Sequence, residues 1–336
     1  MKISFFGAGS WGTAMVSQLA LKYDQLFVYS RNVSLVAYMN EYRENNVYLP
    51  GVAIPDHVRF SSDMATIFTD ADCIVIATPS HAVRETANKL RPYLRSHTIL
   101  VLTSKGLEPG TGRRLSQVVL EEVGHITDRI VVLSGPNHAE EIGHGQPCAT
   151  VIAGVNRKAV EAVQDIYMLP NFRVYANNDL VGVEYAGALK NIIAICTGIV
   201  EGLGLGDNTK AALMTRGLAE IERFGIHFGA KQETFLGLAG MGDLIATCTS
   251  CHSRNKSAGI LLAQGKTIAE IQGGTRMVVE GINATDIAYG LAQKEHISMP
   301  LTEQLYAVLH TEKSPAEALS ELMKRKKKRE YEDNLQ

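Results

Sequence analysis

Lys190 is the clearest candidate for a reactive side chain. It lies in the apolar stretch 183–196, where the other polar side chains are Glu184 and Asn191. A helix that is apolar on every face is buried. Burial disfavours the ammonium form, so it lowers the pKa of a lysine and lets that lysine exchange protons near neutral pH. We therefore predict that Lys190 is a general acid/base. The alternative is a structural ion pair between Lys190 and Glu184 or another acid.

A second polar group interrupts the glycine-rich, apolar stretch 237–248, where Asp243 and Thr247 are four residues apart. In a helix this spacing places both side chains on one face. Asp243 could then hold Lys190 and tune its charge, and Thr247 could bind a substrate hydroxyl. The alternative is that Asp243 caps the helix N-terminus after the glycine loop.

The triplet Ser253, Arg254 and Asn255 precedes a helical pattern that ends near residue 264. A guanidinium, an amide and free backbone N–H groups at a helix start suit a phosphate. The triplet therefore predicts a phosphate-binding end of the site.

Lys105 follows the apolar run 99–102, and the turn from Gly135 to Ala139 follows the run 130–133. Open α/β sheets bind ligands at the carboxyl ends of their strands, so both segments should border one crevice. A cation at Lys105 could polarise a carbonyl group or neutralise a phosphate.

Gly7, Gly9 and Gly12 form a G-x-G-x-x-G motif directly between an apolar run and a helical pattern. In that context the first glycine makes a tight turn, the second lets the backbone approach a pyrophosphate, and the third lets the helix pack on the strand. We predict a dinucleotide site; the alternative is a glycine-rich turn without a ligand.

The second strand ends in Tyr29, Ser30, Arg31 and Asn32, without an acid. An acid at that place binds the ribose 2′-hydroxyl of NAD, whereas an arginine accommodates the 2′-phosphate of NADP. Asp24 comes too early for this role. Arg31 therefore favours NADP(H), with NAD(H) as a possible second cofactor; the alternative is an exposed loop arginine.

The elements that must position these residues alternate in the first half of the chain. The apolar runs predict buried strands at 3–6, 26–29, 73–77, 99–102, 130–133 and 149–152, and the segments between them predict helices at 13–21, 34–44, 82–90, 114–123 and 158–168. This alternation predicts an α/β fold, an N-terminal Rossmann-type doubly wound, mostly parallel sheet. Beyond residue 180 helical patterns predict a C-terminal all-α domain, with helices at about 180–200, 208–227, 231–238, 254–263, 267–271, 280–294, 300–309 and 315–322. We expect domains at 1–180 and 181–323, then a tail at 324–336.

Composition sets limits on the class of protein. The chain has 336 residues, 46% hydrophobic and 20% charged, with a formal net charge of −2, which excludes a disordered chain and gives no overall attraction to nucleic acid or acidic membranes. Five cysteines, several in apolar runs, favour a reducing compartment. No signal peptide or membrane-spanning run is evident, so we expect a cytoplasmic protein.

Three further features are not expected to carry chemistry. The C-x-x-C at Cys248 and Cys251 lacks a second ligand pair, so we predict no metal site. The glycine-rich segment 202–206 follows no strand and is expected to be a turn. The six basic residues 324–329 are followed by acids and are expected to be a solvated tail.

Taken together, these segments resemble the bacterial NAD(P)-dependent glycerol-3-phosphate dehydrogenases over essentially the whole chain. The passages that carry the resemblance are GAGSWGTA from Gly7, TSKGLEP from Thr103, LKNIIAICTGIVEGLGLGDNTKAALMTRG from Leu189, GLAGMGDLIATCTS from Gly237, SRN from Ser253 and VVEGINAT from Val278. The resemblance implies interconversion of sn-glycerol 3-phosphate and dihydroxyacetone phosphate by direct hydride transfer without a metal, a supply of phospholipid precursor, and a homodimer.

The resemblance also implies roles for particular residues. Lys190 would donate and accept the proton. From the residues themselves we add Asp243 and Lys105 as further catalytic residues. Lys105, Gly135, Asp243, Arg254 and Asn255 would line the substrate. From the residues themselves we add Asn137, Lys190, Asn191, Thr247 and Ser253 as expected substrate contacts. Ser10, Trp11, Arg31, Lys105, Ala139, Arg254 and Glu280 would approach the cofactor, in addition to Gly7, Gly9 and Gly12 of the G-x-G-x-x-G motif.

Asn137 and His138 depart from the family, which usually has Ser or Thr and then Phe after Gly135 and Pro136. Cys251 is a third departure, with no role that the resemblance supplies. An amide can replace a hydroxyl as a hydrogen-bond donor, so a polar contact at position 137 remains the expectation.

Two rival functions fit part of the sequence. Another two-domain dehydrogenase with an all-α second domain could act on a hydroxy acid such as 6-phosphogluconate. A cofactor-sensing regulator could instead use the tail 324–329 to bind nucleic acid. The second rival does not explain why Lys190, Asp243 and Arg254 lie in apolar or glycine-rich surroundings.

Overall fold

The computed structural model describes residues 1–273, 278–327 and 329–330. Eight strands form one sheet in the order β10-β9-β8-β7-β6-β1-β2-β5, and β3 pairs with β4 beside it. The strands are β1 (Ile3–Phe6), β2 (Leu26–Tyr29), β3 (Glu44–Asn45), β4 (Leu49–Ala53), β5 (Arg59–Ser61), β6 (Cys73–Ile76), β7 (Ile99–Leu102), β8 (Ile130–Ser134), β9 (Cys148–Gly154) and β10 (Phe172–Asn177).

The sheet is mostly parallel, as predicted, and all six predicted strands are present with ends within two residues. The exception to the parallel order is β9, which runs antiparallel to β8, while β10 is parallel to β9. Consequently the start of β9, rather than its end, lies beside the end of β8. The predictions missed β10, β5 and the β3–β4 pair. These strands are short or only half buried, so they lack a continuous apolar run.

Helices flank this sheet and form the rest of the described chain after residue 180. They are α1 (Ser10–Leu19), α2 (Val33–Tyr42), α3 (Met64–Phe68), α4 (Val83–Leu90), α5 (Leu115–Val123), α6 (Ala139–Gly143), α7 (Arg157–Tyr167), α8 (Leu180–Gly202), α9 (Asp207–His227), α10 (Gln232–Phe235), α11 (Asp243–Thr249), α12 (Arg254–Ala263), α13 (Ile268–Gly273), α14 (Glu280–Lys294), α15 (Pro300–His310) and α16 (Pro315–Met323). Each predicted helix has a counterpart, but the one predicted at 231–238 is shorter, as α10, and is followed by a π-helical segment at Leu238–Gly242. Helices α3, α6 and α11 were absent from the predicted set.

The central helix of the second half is α8, whose side chains are buried from Gly182 to Val200. α8 is also long and apolar enough to cross a membrane, but the apolar stretch of 18 residues within it is fully buried inside the protein. Burial on all faces by other helices and by the sheet is typical of a core helix. Asp179 caps its N-terminus by accepting a hydrogen bond from the Gly182 backbone N–H at 2.8 Å.

The glycine-rich segment 202–206 is a turn, as expected. Gly204 has a φ of +71°, and Gly206 precedes the first residue of α9. In the tail, residues 324–327, 329 and 330 are exposed. Residue 328 and residues 331–336 of the predicted tail lie outside the described residues.

Candidate active site

A buried carboxylate between two lysines forms the centre of the site. The Oδ1 atom of Asp243 lies 2.8 Å from the Lys190 Nζ, and its Oδ2 atom lies 2.8 Å from the Lys105 Nζ. Asp243 is 2% exposed and Lys190 is 5% exposed. In such a dry environment both charge interactions are much stronger than they would be in water.

Three elements converge to build this cluster. Lys190 projects from the middle of α8, Asp243 begins α11, and Lys105 follows β7. The glycines around them allow the close approach: a Cβ on Gly240 would lie 2.1 Å from the Phe235 carbonyl oxygen, and a Cβ on Gly187 would lie 2.7 Å from the Ser134 Oγ. The glycines before Asp243 therefore let neighbouring segments pack closely, and they also let the chain turn.

The structure bears on both alternatives proposed for the charged residues. Lys190 does form a buried ion pair, and its partner is Asp243. Glu184 does not pair with Lys190; it accepts hydrogen bonds from Arg114 at 2.5 Å and from the backbone N–H of Ser116 at 2.8 Å. Asp243 makes no capping bond at the start of α11, because its carboxylate binds the two lysines.

The two ammonium groups differ in how many of their N–H groups are used. The Nζ of Lys105 donates to the Gly135 carbonyl at 2.8 Å, the Asn137 Oδ1 at 3.1 Å and the Asp243 Oδ2 at 2.8 Å, which accounts for all three. The Nζ of Lys190 donates to Asp243 and to the Thr247 Oγ1. Within the described residues, Lys190 thus keeps one N–H for a substrate oxygen.

Burial sets the proton affinity of Lys190. The net pKa of Lys190 is lowered to about 8: desolvation is the largest influence, Asp243 opposes it, and the charge of Lys105 acts in the same direction as desolvation. Burial alone would raise the pKa of Asp243, but the two lysines together bring that pKa below its ordinary value. The cluster therefore consists of an ionised carboxylate and a lysine that gains or loses its proton close to neutral pH.

The predicted phosphate end lies on α12 and the start of α14. Ser253 caps α12 by accepting a hydrogen bond from the Lys256 N–H at 3.3 Å. Asn255 donates to the Asn191 Oδ1 at 2.8 Å and accepts from the Gly281 N–H at 2.9 Å, so it orients Asn191 beside Lys190.

Arg254 has an exposed side chain whose Nη1 donates to the Val278 carbonyl at 3.3 Å. A guanidinium has five N–H donors in a planar fork, so a single 3.3 Å contact leaves donors for an anion. Arg254 therefore fits the predicted role of phosphate ligand at the mouth of the site.

The cofactor motif has the geometry that its glycines predict. Gly7 has a φ of +119°, and a Cβ there would lie 2.7 Å from the Ala77 carbonyl oxygen. A Cβ on Gly12 would lie 2.6 Å from the Gly7 carbonyl oxygen, whereas a Cβ on Gly9 would meet nothing within 4 Å. The open space at Gly9, beside the first turn of α1, fits an approaching pyrophosphate.

The other predicted cofactor residues lie at the ends of elements along this edge. Ser10 and Trp11 begin α1, three residues earlier than the predicted helix start, and Ala139 begins α6. Arg31 is exposed just after β2, and it forms no hydrogen bond with Lys105, Lys190 or Asp243. Glu280 begins α14 and accepts hydrogen bonds from Ser80, at 3.0 Å from its N–H and 2.5 Å from its Oγ.

Sequence reasoning missed several residues that support the site. Ser80 anchors Glu280 to the turn after β6, and Asn45 donates to the Ala8 carbonyl and to the Thr13 Oγ1, both at 2.8 Å. Thr150 was missed as well, although a hydroxyl inside an otherwise apolar strand is a signal that could have singled it out.

His138 ties the turn after β8 to α11 through a 3.3 Å contact between its Nε2 and the Ala246 carbonyl. Burial lowers the pKa of His138, and the nearby lysines lower it further. The imidazole is therefore neutral at pH 7, and its contact with a carbonyl requires the proton on Nε2.

The two cysteines of the C-x-x-C motif differ in exposure. Cys248 is buried and Cys251 is exposed, and within the described ranges no group of three or more His, Cys, Asp or Glu side chains could hold a metal ion. Burial raises the pKa of the Cys248 thiol to about 11, so this thiol stays protonated.

Comparison with known proteins gives two family matches along the chain. Residues 2–160 match the N-terminal model of NAD-dependent glycerol-3-phosphate dehydrogenase, and residues 179–320 match the C-terminal model. A relative from Desulfitobacterium hafniense, named glycerol-3-phosphate dehydrogenase [NAD(P)+], is 52% identical over 99% of this chain and 94% of its own length. One of the same name from Moorella thermoacetica is 49% identical over 98% of each chain.

Solved structures agree with these matches. A crystal structure of glycerol-3-phosphate dehydrogenase from Coxiella burnetii superposes with a TM-score of 0.91 at 39% identity, covering 96% of this chain and 99% of that one. D-mandelate dehydrogenase, at 14% identity and a TM-score of 0.61, shares the fold alone.

Proposed function

Because this chain belongs to the NAD-dependent glycerol-3-phosphate dehydrogenase family, we propose that Lys190 exchanges the proton when dihydroxyacetone phosphate and sn-glycerol 3-phosphate are interconverted. The enzyme is an oxidoreductase that acts on a CH–OH group and uses NAD or NADP. The observation that carries the proposal is the buried Lys190, with a pKa of about 8 and one N–H that the described residues do not use.

The chain's own residues divide the work of the reaction. When bound, the nicotinamide supplies or accepts the hydride. In the reducing direction, Lys190 as ammonium donates a proton to the substrate oxygen at C2, and in the oxidising direction neutral Lys190 removes that proton. Asp243 and Thr247 hold the Lys190 Nζ in place. The positive charge of Lys105 stabilises negative charge that develops at the substrate.

Substrate and cofactor would be bound by opposite ends of the site. Arg254 and the start of α12 bind the substrate phosphate, with Asn191, Ser253 and Asn255 beside it, so that binding energy remote from C2 orients the reacting carbon. Gly135 and Asn137 line the substrate from the sheet side. The cofactor lies along Gly7, Gly9, Ser10, Trp11, Gly12, Arg31, Lys105, Ala139, Arg254 and Glu280.

The test of this function is oxidation of NADPH at 340 nm by purified protein with dihydroxyacetone phosphate. We expect turnover with dihydroxyacetone phosphate and none with 6-phosphogluconate and NADP. Turnover of the hydroxy acid, or binding of NADPH without any turnover, would contradict the substrate assignment.

We expect Arg31→Ala to raise the KM for NADPH by about 10-fold or more, because the variant loses a charge-assisted contact with the 2′-phosphate. The KM for NADH should change little, since NADH has a hydroxyl at that position. Arg59→Ala is the matched control, because Arg59 is an exposed arginine at the opposite end of the neighbouring strand β5. If the ratio of the two KM values stays the same in Arg31→Ala, Arg31 does not select NADP.

The remaining features of the proposal concern organisation. The boundary between a cofactor domain and a substrate domain lies near residue 180, since β10 ends at Asn177 and α8 begins at Leu180. We propose a cytoplasmic enzyme that acts as a homodimer and supplies a phospholipid precursor.

A further inference from the structure

We infer that Thr150 and Asn137 are positioning residues, which hold Lys105 against Asp243 and so keep Lys190 ready to exchange its proton. This inference rests on the proposed function of Lys190. It assigns a role to the start of β9, which forms no hydrogen bond with Lys190 among the described residues.

A continuous series of hydrogen bonds joins β9 to the lysine cluster. The Thr150 hydroxyl donates to the Ser134 carbonyl at 2.7 Å, and the Asn137 Nδ2 donates to the Thr150 Oγ1 at 2.7 Å. A hydroxyl has one proton, so Thr150, having donated it to Ser134, can only accept from Asn137. That requirement fixes which end of the Asn137 amide faces Lys105: it must be the oxygen.

The oriented amide completes the binding of the Lys105 ammonium. Its Oδ1 accepts from the Lys105 Nζ at 3.1 Å, and the other two N–H groups donate to the Gly135 carbonyl and the Asp243 Oδ2, both at 2.8 Å. With all three N–H groups occupied, Lys105 has a fixed direction. It holds one oxygen of Asp243 and leaves the other for Lys190.

The antiparallel course of β9 makes this arrangement possible. Ser134 is paired with Val151, so Thr150 lies beside the residue at which β8 ends. Gly135, with a φ of +136°, lets the turn pass close to β9, since a Cβ there would lie 3.2 Å from the Thr150 Cα. Thr150 is fully buried and Asn137 is 7% exposed, so water has little room to replace either bond.

Loss of this support has a definite electrostatic consequence. Lys105 lowers the pKa of Lys190 by repulsion, and it also neutralises part of the charge that Asp243 offers to Lys190. If Lys105 moves away from Asp243, both effects weaken. The ammonium form of Lys190 then becomes more favourable, and the pKa of Lys190 rises above about 8.

The test compares Thr150→Val with Thr150→Ser, two substitutions at one buried site that differ in whether a hydroxyl remains. For Thr150→Val we expect kcat for dihydroxyacetone phosphate reduction to fall about 10- to 100-fold, because the catalytic groups lose their alignment. In a plot of kcat against pH, the alkaline limb should move to higher pH by about 1 unit. Thr150→Ser should retain the wild-type kcat and the wild-type limb, because its hydroxyl still accepts from Asn137.

Two further measurements separate positioning from general damage. In the Lys105→Met background, Thr150→Val should cause no additional fall in kcat, because its effect is transmitted through Lys105. If Thr150→Val does not fold, Asn137→Ala serves in its place: it removes the Oδ1 acceptor that Thr150 holds toward Lys105, and it should move the limb in the same direction.

Equal kcat values and equal alkaline limbs in Thr150→Val and Thr150→Ser would overturn the inference, and so would additive losses in the double variant. If Thr150→Val does not fold, an unchanged limb in Asn137→Ala would likewise overturn it. Failure of the proposed function looks different, because wild-type protein would then show no turnover with dihydroxyacetone phosphate.

Discussion

Replacing Lys190 by methionine is expected to lower kcat for dihydroxyacetone phosphate reduction by about 10²- to 10⁴-fold, the usual contribution of a general acid. Methionine keeps most of the buried volume in the middle of α8 but has no proton to donate. The Asp243 carboxylate remains paired with Lys105, so the variant leaves no carboxylate without a partner. The loss corresponds to about 3–5 kcal/mol in the activation barrier.

The matched control is Lys210→Met. Lys210 lies on α9 and also forms an ion pair, with Glu201 at 3.0 Å. We expect the control to keep wild-type kcat. A Lys190→Met variant that changed KM for the substrate but kept kcat would show that Lys190 binds the substrate and does not exchange the proton.

Asp243→Asn is expected to reduce kcat by about 100-fold or more and to move the alkaline limb of the reducing reaction to lower pH. The amide cannot offset the charges of Lys105 and Lys190, which then face each other in a buried site. Repulsion favours the neutral amine, so the pKa of Lys190 falls below about 8. The ammonium form needed for reduction is therefore lost at a lower pH than in the wild type.

The direction of this shift is what distinguishes Asp243 from Thr150. Asp243→Asn should move the alkaline limb to lower pH, whereas Thr150→Val should move it to higher pH. Asp207→Asn, at an exposed position that begins α9, serves as the control and should leave the limb where it is. An unchanged limb in Asp243→Asn, with kcat reduced, would show that Asp243 shapes the site without tuning Lys190.

Much of the fold could be predicted because buried strands leave short continuous apolar runs, whereas amphipathic helices leave apolar residues three or four positions apart. The direction of β9 could not be predicted, since the run 149–152 has the same pattern whether a strand runs parallel or antiparallel to its neighbour. The edge strand β10 was missed because its exposed Arg173 and Tyr175 interrupt the apolar run.

Individual residues of the site could be predicted from the sequence, but the contacts between them could not. Burial of Lys190 followed from its apolar surroundings on α8, yet Glu184 was as plausible a partner as Asp243 from sequence alone. Asp243 and Lys105 are 138 residues apart, so their contact depends on how the sheet packs against α11. The role of Thr150 was out of reach for the same reason, because it depends on the orientation of β9.

The central claim, that Lys190 exchanges the proton, is tested most directly by measuring kcat against pH in both directions with the wild-type enzyme. Reduction of dihydroxyacetone phosphate needs the ammonium form, so its rate should fall as the pH rises through about 8. Oxidation of sn-glycerol 3-phosphate needs the neutral amine, so its rate should rise over the same range. Two opposite limbs with one shared pKa are the predicted result; two profiles that rise together, or that stay flat between about pH 7 and 9, would contradict the assignment.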